Sequence, residues 1–308
     1  MTKYLLTGGC GFIGSHIADQ LVLNGSTVVI IDDLSTGLKE NLNSEVIFYE
    51  GSITNLEIVK KIFSEHNFDG VIHEASHINT SVPDEQPQRD IDINVKGTLN
   101  LIEQILKYNS GKFVYASSVA VYGSPVEIPV SEFGPIRPIY SYGIAKQCAE
   151  EYVRYFGANK GLNYHIARYG NIYGPRQPIY GEVGVIAIFT QKILREEPLT
   201  IYGSGEYLRD FLFIDDAVEA TLRLLNLPGS DTFNLASGKP TSVNEVVGAF
   251  EVILDKSLNI NSKPERANEL GKFYANTSKL RKTLDWHPRT DLVQGLKLTL
   301  DFYQNPKR

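Results

Sequence analysis

Short apolar runs alternate with amphipathic stretches through the first half of the chain. Tyr4–Leu6 is followed by a stretch that repeats Ile13, Ile17 and Leu21 at helical spacing. Val28–Ile31 and Val46–Phe48 are the next runs, and Leu56–Phe63 again has helical periodicity. Val71–His73 precedes a helical stretch carrying Val95, Leu99 and Ile102. Phe113–Ala116 precedes another from about Tyr142 to Phe156, and His165–Ala167 closes the series. Apolar runs separated by single helices are parallel strands joined by crossovers. The pattern predicts an α/β fold, a doubly wound parallel sheet over residues 1–174 with helices on both faces, and in such sheets ligands bind outside the carboxyl ends of the strands. Further on, Tyr169–Tyr180 is rich in Gly, Pro and Tyr and reads as an ordered loop. Ile186–Leu194 and Val243–Leu254 read as helices, and Thr232–Leu235 as one more strand. The expectation is a smaller, less regular lobe over 175–308, with the chain returning to the first domain at about 210–240.

Between the first run and the first helix lies Thr7-Gly8-Gly9-Cys10-Gly11-Phe12-Ile13-Gly14, with Gly8, Gly11 and Gly14 spaced G-x-x-G-x-x-G. Glycine permits the tight turn and lets N–H groups approach a pyrophosphate, toward which the helix N-terminus points. Alone, such a trio also fits a plain strand-to-helix turn. The second run, however, ends in Asp32-Asp33, and Asp32 lies 18 residues beyond Gly14. A carboxylate there accepts hydrogen bonds from ribose hydroxyls and repels a 2′-phosphate, which favours NAD over NADP.

Tyr142 and Lys146 are four residues apart in Tyr-Gly-Ile-Ala-Lys, on one face of the helix predicted from about Tyr142 to Phe156. A free phenol titrates near 10, so a nearby ammonium and a cationic nicotinamide are expected to favour the phenolate that a base requires. Tyr140 lacks a lysine four residues on. Upstream, Ser117 and Ser118 end the run Phe113–Ala116, where a hydroxyl suits a donor to an oxygen becoming a carbonyl. A Ser-Ser pair after a strand is also ordinary turn chemistry.

The chain has 308 residues, 42% hydrophobic and 21% charged, enough apolar material for a large core. Its net charge of −6 offers no field for a phosphate backbone, so no nucleic acid partner is expected. An anionic ligand then depends on local arginines or N–H groups. No apolar run approaches the roughly 18 residues of a membrane span, so no membrane partner is expected, and no signal peptide is read before Lys3. Cys10 and Cys148 do not suggest a disulfide framework, and a cytoplasmic location is expected. His73 and His77 have no partner pattern for a metal and are expected to pack behind the site.

The segments TGGCGFIG, YASSVAVYG, YGIAK and RYGNIYGPRQ together resemble the extended short-chain dehydrogenase/reductase family of NAD-dependent epimerases and dehydratases, most nearly its UDP-glucose 4-epimerase branch. The resemblance runs from Leu6 to Leu284–Pro288. It implies a Rossmann-type domain and catalysis by Ser118, Tyr142 and Lys146. It implies an NAD site made by Gly8, Gly11, Phe12, Ile13, Gly14, Asp32, Asp33, Ser35, Gly37, Ser52, Ile53, Ala75, Asn94, Tyr142, Lys146 and Tyr169, with Asn94 as the structural Asn after the fourth strand. It implies a UDP-sugar held by Ser118, Tyr142, Asn171, Tyr202, Arg209, Arg266 and Glu269, the two arginines on the diphosphate. The helices at Asp92–Tyr108 and Tyr142–Phe156 resemble those that form a homodimer in this family.

Within the family, 4,6-dehydratases and decarboxylases carry an acid beside the catalytic hydroxyl. Here those positions are Val119 and Ala120, which move no proton, so C4 epimerisation of a UDP-sugar of the glucose/galactose type is expected. Several positions depart from the pattern. Ser52 replaces an Asp, Gly170 replaces an aromatic, and His73-Glu-Ala-Ser-His77 replaces H-x-A-A-Q. A large residue at Phe273 disfavours N-acetylated sugars. Alternatives are a 4-epimerase of UDP-GlcA or UDP-GlcNAc, a dehydratase, reductase or lyase on a related nucleotide sugar, and a non-catalytic NAD sensor. The intact Ser118, Tyr142 and Lys146 argue against the sensor.

Overall fold

The computed structural model describes residues 1–78, 86–178, 184–265 and 271–305. In chain order the elements are β1 (Lys3–Thr7), α1 (Phe12–Leu23), β2 (Thr27–Asp32), β3 (Ile47–Glu50), α2 (Leu56–Glu65), β4 (Gly70–His73), α3 (Pro87–Asp90), a π-helical stretch Ile91–Gly97, and α4 (Thr98–Tyr108). Next come β5 (Lys112–Ser118), a 3₁₀ turn Val119–Tyr122, α5 (Ser141–Lys160), β6 (Tyr164–Tyr169), β7 (Asn171–Tyr173), α6 (Val185–Leu194), β8 (Leu199–Tyr202) and β9 (Leu208–Phe213). The chain ends with α7 (Ile214–Asn226), β10 (Asp231–Leu235), β11 (Pro240–Ser242), α8 (Val243–Leu254), β12 (Ile260–Lys263), α9 (Ser278–Leu284) and α10 (Leu292–Gln304).

A seven-stranded sheet has the order β10-β6-β5-β4-β1-β2-β3, and β1 to β6 pair in parallel. The order reverses at β1, so β1 and β4 both end where the glycine turn begins. Thr27–Asp32 is apolar without alternation because Val28 to Ile31 are all buried. On one face Leu5, Val29, Ile31, Val71, Phe113 and Ile166 pack with Val59, Ile62 and Phe63 of α2, Leu101, Ile102 and Ile105 of α4, and Ala149 and Val153 of α5. Asn55 caps α2 by accepting from the Glu57 N–H at 3.0 Å.

By internal contacts the chain divides into two units at points other than 174/175. One comprises 1–123, 136–169 and 218–233, the other 124–135, 170–217 and 234–308. The second holds a three-stranded sheet β11-β9-β7 and a parallel pair β12-β8. The stretch expected as a loop from Tyr169 therefore contains a strand, because Asn171–Tyr173 pairs in parallel with Phe211–Phe213 of β9. In α8, Ser242 accepts from the Glu245 N–H while the Glu245 carboxylate accepts from the Ser242 N–H, a reciprocal cap. Among the described residues, no helix is long and apolar enough to cross a membrane, and no group of three or more His, Cys, Asp or Glu could hold a metal ion.

Candidate active site

The glycine turn is built for close approach. Gly8 has φ +70°, and a Cβ there would lie 2.6 Å from the Ala75 nitrogen; a Cβ on Gly14 would lie 2.2 Å from the Gly8 oxygen. Gly11 precedes α1 and no side chain caps the helix, so the first-turn N–H groups of Phe12 and Ile13 suit an anion. Asp32 closes β2, only 8% exposed. Its two oxygens accept from the Cys10 N–H at 2.9 Å and the Leu34 N–H at 2.8 Å, which orients the carboxylate and leaves lone pairs for hydroxyl donors. Burial raises its pKa, and those N–H groups work against the rise.

The segment after β2 lies against the same turn. A Cβ on Gly37 would come 2.8 Å from the Cys10 carbonyl carbon, and Leu38 N–H donates to Cys10 O at 3.0 Å. Asp33 and Ser35 are exposed, and the Ser35 N–H donates to Asp33 at 3.0 Å. Ser52 is half-buried and accepts from the Thr54 hydroxyl at 3.0 Å; Ile53 is buried, and its carbonyl accepts from the Asn100 amide at 2.9 Å. Ala75 N–H donates to the Thr7 hydroxyl at 3.1 Å. A backbone cradle that a Cβ would fill, an uncapped helix start and an oriented carboxylate fit a dinucleotide.

Ser118, Tyr142 and Lys146 meet in this first unit. Ser118 is the last residue of β5 and caps the 3₁₀ turn, its Oγ accepting from the Ala120 N–H at 3.1 Å. Tyr142, in the first turn of α5, is buried, and the hydroxyls of Ser118 and Ser76 are among the groups that act on its phenol. Lys146, one turn on, donates to the Ala116 carbonyl at 2.7 Å and sits 5.9 Å from the centre of the Tyr142 ring. Tyr140, just outside α5, is not part of this group. The expected tuning of Tyr142 toward the phenolate is not a property of the protein alone. Burial pushes its phenol up to about 12; the two serine hydroxyls oppose this, and Glu74 and Asp90 add to it. Burial likewise pulls Lys146 down to about 8, against Glu74, Glu150 and Asp90.

Several further residues complete the surroundings. Asn94, in the π-helical stretch, accepts at Oδ1 from the Ser76 hydroxyl and the His77 N–H, both at 2.9 Å, and donates to the His77 carbonyl at 2.8 Å. His73 is fully buried, bonded to Thr7 at 2.7 Å and Thr98 at 2.9 Å, and burial holds it well below its ordinary pKa. His77 pairs with buried Asp90 at 2.8 Å. Tyr169 donates to Glu74 at 2.9 Å and lies 2.7 Å from the Thr221 hydroxyl. Burial raises the Glu74 carboxyl to about 7, and Tyr169 and Lys146 oppose the rise. Sequence reasoning assigned no role to Glu74 or Ser76. Their signal was the departure of 73–77 from the family pattern.

In the second unit, Asn171 opens β7, Tyr202 ends β8, and Arg209 on β9 donates to the carbonyls of Leu208 at 2.9 Å and Gly271 at 2.7 Å. A Cβ at Gly170 would lie 3.0 Å from that of Ala236 and 3.1 Å from the Asp210 oxygen, a local reason for glycine at that position. Phe273 is buried and its N–H donates to Leu208 O at 3.1 Å. Arg266 and Glu269 lie outside the described residues.

Residues 4–236 match the model of the NAD dependent epimerase/dehydratase family. The chain belongs to that family. It is therefore an NAD-dependent enzyme, and its relatives include UDP-sugar 4-epimerases along its full length. It is 40% identical to a putative UDP-glucose 4-epimerase of Methanocaldococcus jannaschii over 99% of both chains. Its fold is similar to the crystal structure of UDP-glucose 4-epimerase from Thermotoga maritima with UDP-glucose, at 39% identity and a TM-score of 0.96 over 100% of both chains. It is also similar to the Thermus thermophilus UDP-glucose 4-epimerase in complex with NAD, at 33% identity and a TM-score of 0.92, covering 98% of this chain and 99% of that one.

Proposed function

We propose that this enzyme interconverts UDP-glucose and UDP-galactose by inverting C4 through a transient 4-keto sugar. The observation that carries the reading is the Ser118–Tyr142–Lys146 group beside Val119 and Ala120. The machinery for moving a hydroxyl proton is present, and the acid that elimination demands has no counterpart at those positions. Bound NAD supplies a hydride acceptor at C4 and a positive ring that favours the phenolate. Tyr142 removes the 4-hydroxyl proton, Ser118 donates to the oxygen as it becomes a carbonyl, and Lys146 holds the nicotinamide ribose. Asp32 receives the adenosine ribose and the glycine turn the pyrophosphate. Asn171, Tyr202, Arg209, Arg266 and Glu269 hold the nucleotide sugar.

We also infer a homodimer through the helical stretches Asp92–Tyr108 and Tyr142–Phe156, in the second of which Ile144 and Tyr155 are 56% and 53% exposed. Light scattering checks it: a mass of two chains is expected, and a mass of one opposes it. The free thiols of Cys10 and Cys148 suit a cytoplasmic location.

The activity is tested by incubating the purified enzyme with UDP-glucose, UDP-GlcNAc and UDP-GlcA and scoring each for its C4 epimer. UDP-galactose as the dominant product is expected. Free NADH or an accumulating keto sugar would indicate a reductase or a dehydratase instead.

A further inference from the structure

Lys146 carries its charge into a place that water hardly reaches, only 2% exposed. Its Nζ donates to the Ala116 carbonyl at 2.7 Å, and among the described residues it has no ion pair. A buried ammonium with one backbone acceptor and no counter-charge tends to give up its proton. The neutral amine would no longer favour a phenolate at Tyr142. Another group must therefore favour the ammonium, and the strand that supplies the carbonyl also supplies that group.

We propose that Tyr115 is a positioning residue for the reaction: the face of its ring holds Lys146 in its charged form beside Tyr142. The proposal rests on the reading of Lys146 as the group that tunes Tyr142.

Three features support it. First, the Lys146 Nζ lies 5.0 Å from the centre of the Tyr115 ring, against 5.9 Å from that of Tyr142. Both distances fall inside the roughly 6 Å over which a ring face attracts a cation. Second, Tyr115 is fully buried in the core cluster that includes Ala149 and Val153 of α5, so little water screens the attraction. Third, the ring is fixed in place. Its centre lies 5.6 Å from that of His73 and 6.2 Å from that of Phe113. His73 is itself bonded through both ring nitrogens, to Thr7 at 2.7 Å and Thr98 at 2.9 Å. A ring also suits this position better than a carboxylate. A carboxylate at ion-pair distance would cancel the charge of Lys146 and repel the phenolate. A ring face favours the ammonium and leaves its charge available to Tyr142.

The ionisable groups that act on Lys146 come from several elements. Glu74 after β4, Asp90 at the end of α3 and Glu150 on α5 favour the ammonium from beyond ion-pair distance. His73 on β4 is kept neutral by burial, and Tyr142 is the remaining neighbour. Burial outweighs the three carboxylates and brings Lys146 down to about 8. A change confined to the electrons of the Tyr115 ring alters none of these groups.

The test is a series at position 115 that keeps the shape of the ring. Tyr115→Phe, which retains the ring face, is the reference. The same phenylalanine carrying one and then three ring fluorines withdraws charge from that face in steps. Two readouts are taken on the NAD-loaded enzyme. One is the NMR titration of the Lys146 Cε in protein made with labelled lysine, assigned by the signal missing from Lys146→Met. The other is the pH profile of turnover. With three fluorines the titration and the alkaline limb are expected to move down together by about one pH unit, with the single fluorine between. Turnover on that limb should then fall roughly tenfold, with the KM for the nucleotide sugar nearly unchanged. Titrations that superimpose across the series, or a loss of turnover equal at every pH with the titration unmoved, overturn the proposal. If Lys146→Met itself retains turnover, the reading of Lys146 as the group that tunes Tyr142 has failed instead.

Discussion

Two clusters of ionisable groups meet at α5, and they are treated oppositely. Toward its middle, Glu150 is fully buried yet fully partnered. It accepts from Arg168 at 2.9 and 2.6 Å, from Ser117 at 2.5 Å and from Arg154 at 2.5 Å, and Arg168 also donates to Tyr122 at 2.8 Å. Burial pushes the Glu150 carboxyl up, but Arg168, Arg154 and Ser117 together outweigh it and hold the group below the ordinary carboxylate value. One to two turns earlier, Tyr142, Lys146 and nearby Glu74 are each pushed toward their neutral forms, at about 12, about 8 and about 7. The first group is complete in the protein alone; the second has been desolvated without being matched. A buried charge without its counter-charge costs several kcal/mol, so such a set is retained where a ligand is to complete it.

The two groups predict different consequences of substitution, which can break or sharpen the contrast. The largest effect belongs to Tyr142→Phe. It should lower turnover by roughly 10²–10⁴-fold with little change in unfolding temperature, as read by epimer formation and calorimetry. Glu150→Gln does the reverse: it leaves Arg168 buried without a carboxylate and should destabilise the fold by about 3–5 kcal/mol in denaturant unfolding.

Their pH signatures also oppose. Glu74 is raised in the folded state, so its contribution to the stability of the ligand-free protein is complete below 4.5 and lost as pH rises through about 7. Glu74→Gln should remove roughly 1–3 kcal/mol of that pH dependence, measured as unfolding free energy from acid to neutral pH. Glu150 is depressed, so its contribution is present above the ordinary carboxylate value and lost as pH falls below it. The smallest effect is expected from Arg154→Ala. Its partly exposed guanidinium only supplements Arg168, and its loss should cost less than about 1 kcal/mol and leave turnover unchanged.

What the sequence disclosed follows the same division. Apolar runs separated by helical stretches disclosed the parallel sheet, because strands buried on both faces are apolar over most of their length. The i, i+4 spacing of Tyr142 and Lys146 survived because α5 is regular through both. The strands of the second unit were less legible: β7 and β11 have three residues each, β11 starts on Pro240, and β9 carries Arg209 and Asp210 among its apolar residues, so they show little periodicity. The direction of the Tyr142 shift could not be read from spacing either. It is set by desolvation, which depends on what β4, β5 and the π-helical stretch place around the ring.

The central claim is that hydrogen leaves C4 and returns to the same carbon while its hydroxyl proton stays with the enzyme. UDP-glucose carrying deuterium at C4, incubated with the purified enzyme in ordinary water, tests it most directly by NMR of the product. UDP-galactose that keeps its deuterium at C4 is expected. UDP-galactose with the label washed out into water, or no C4 epimer at all, would contradict the account.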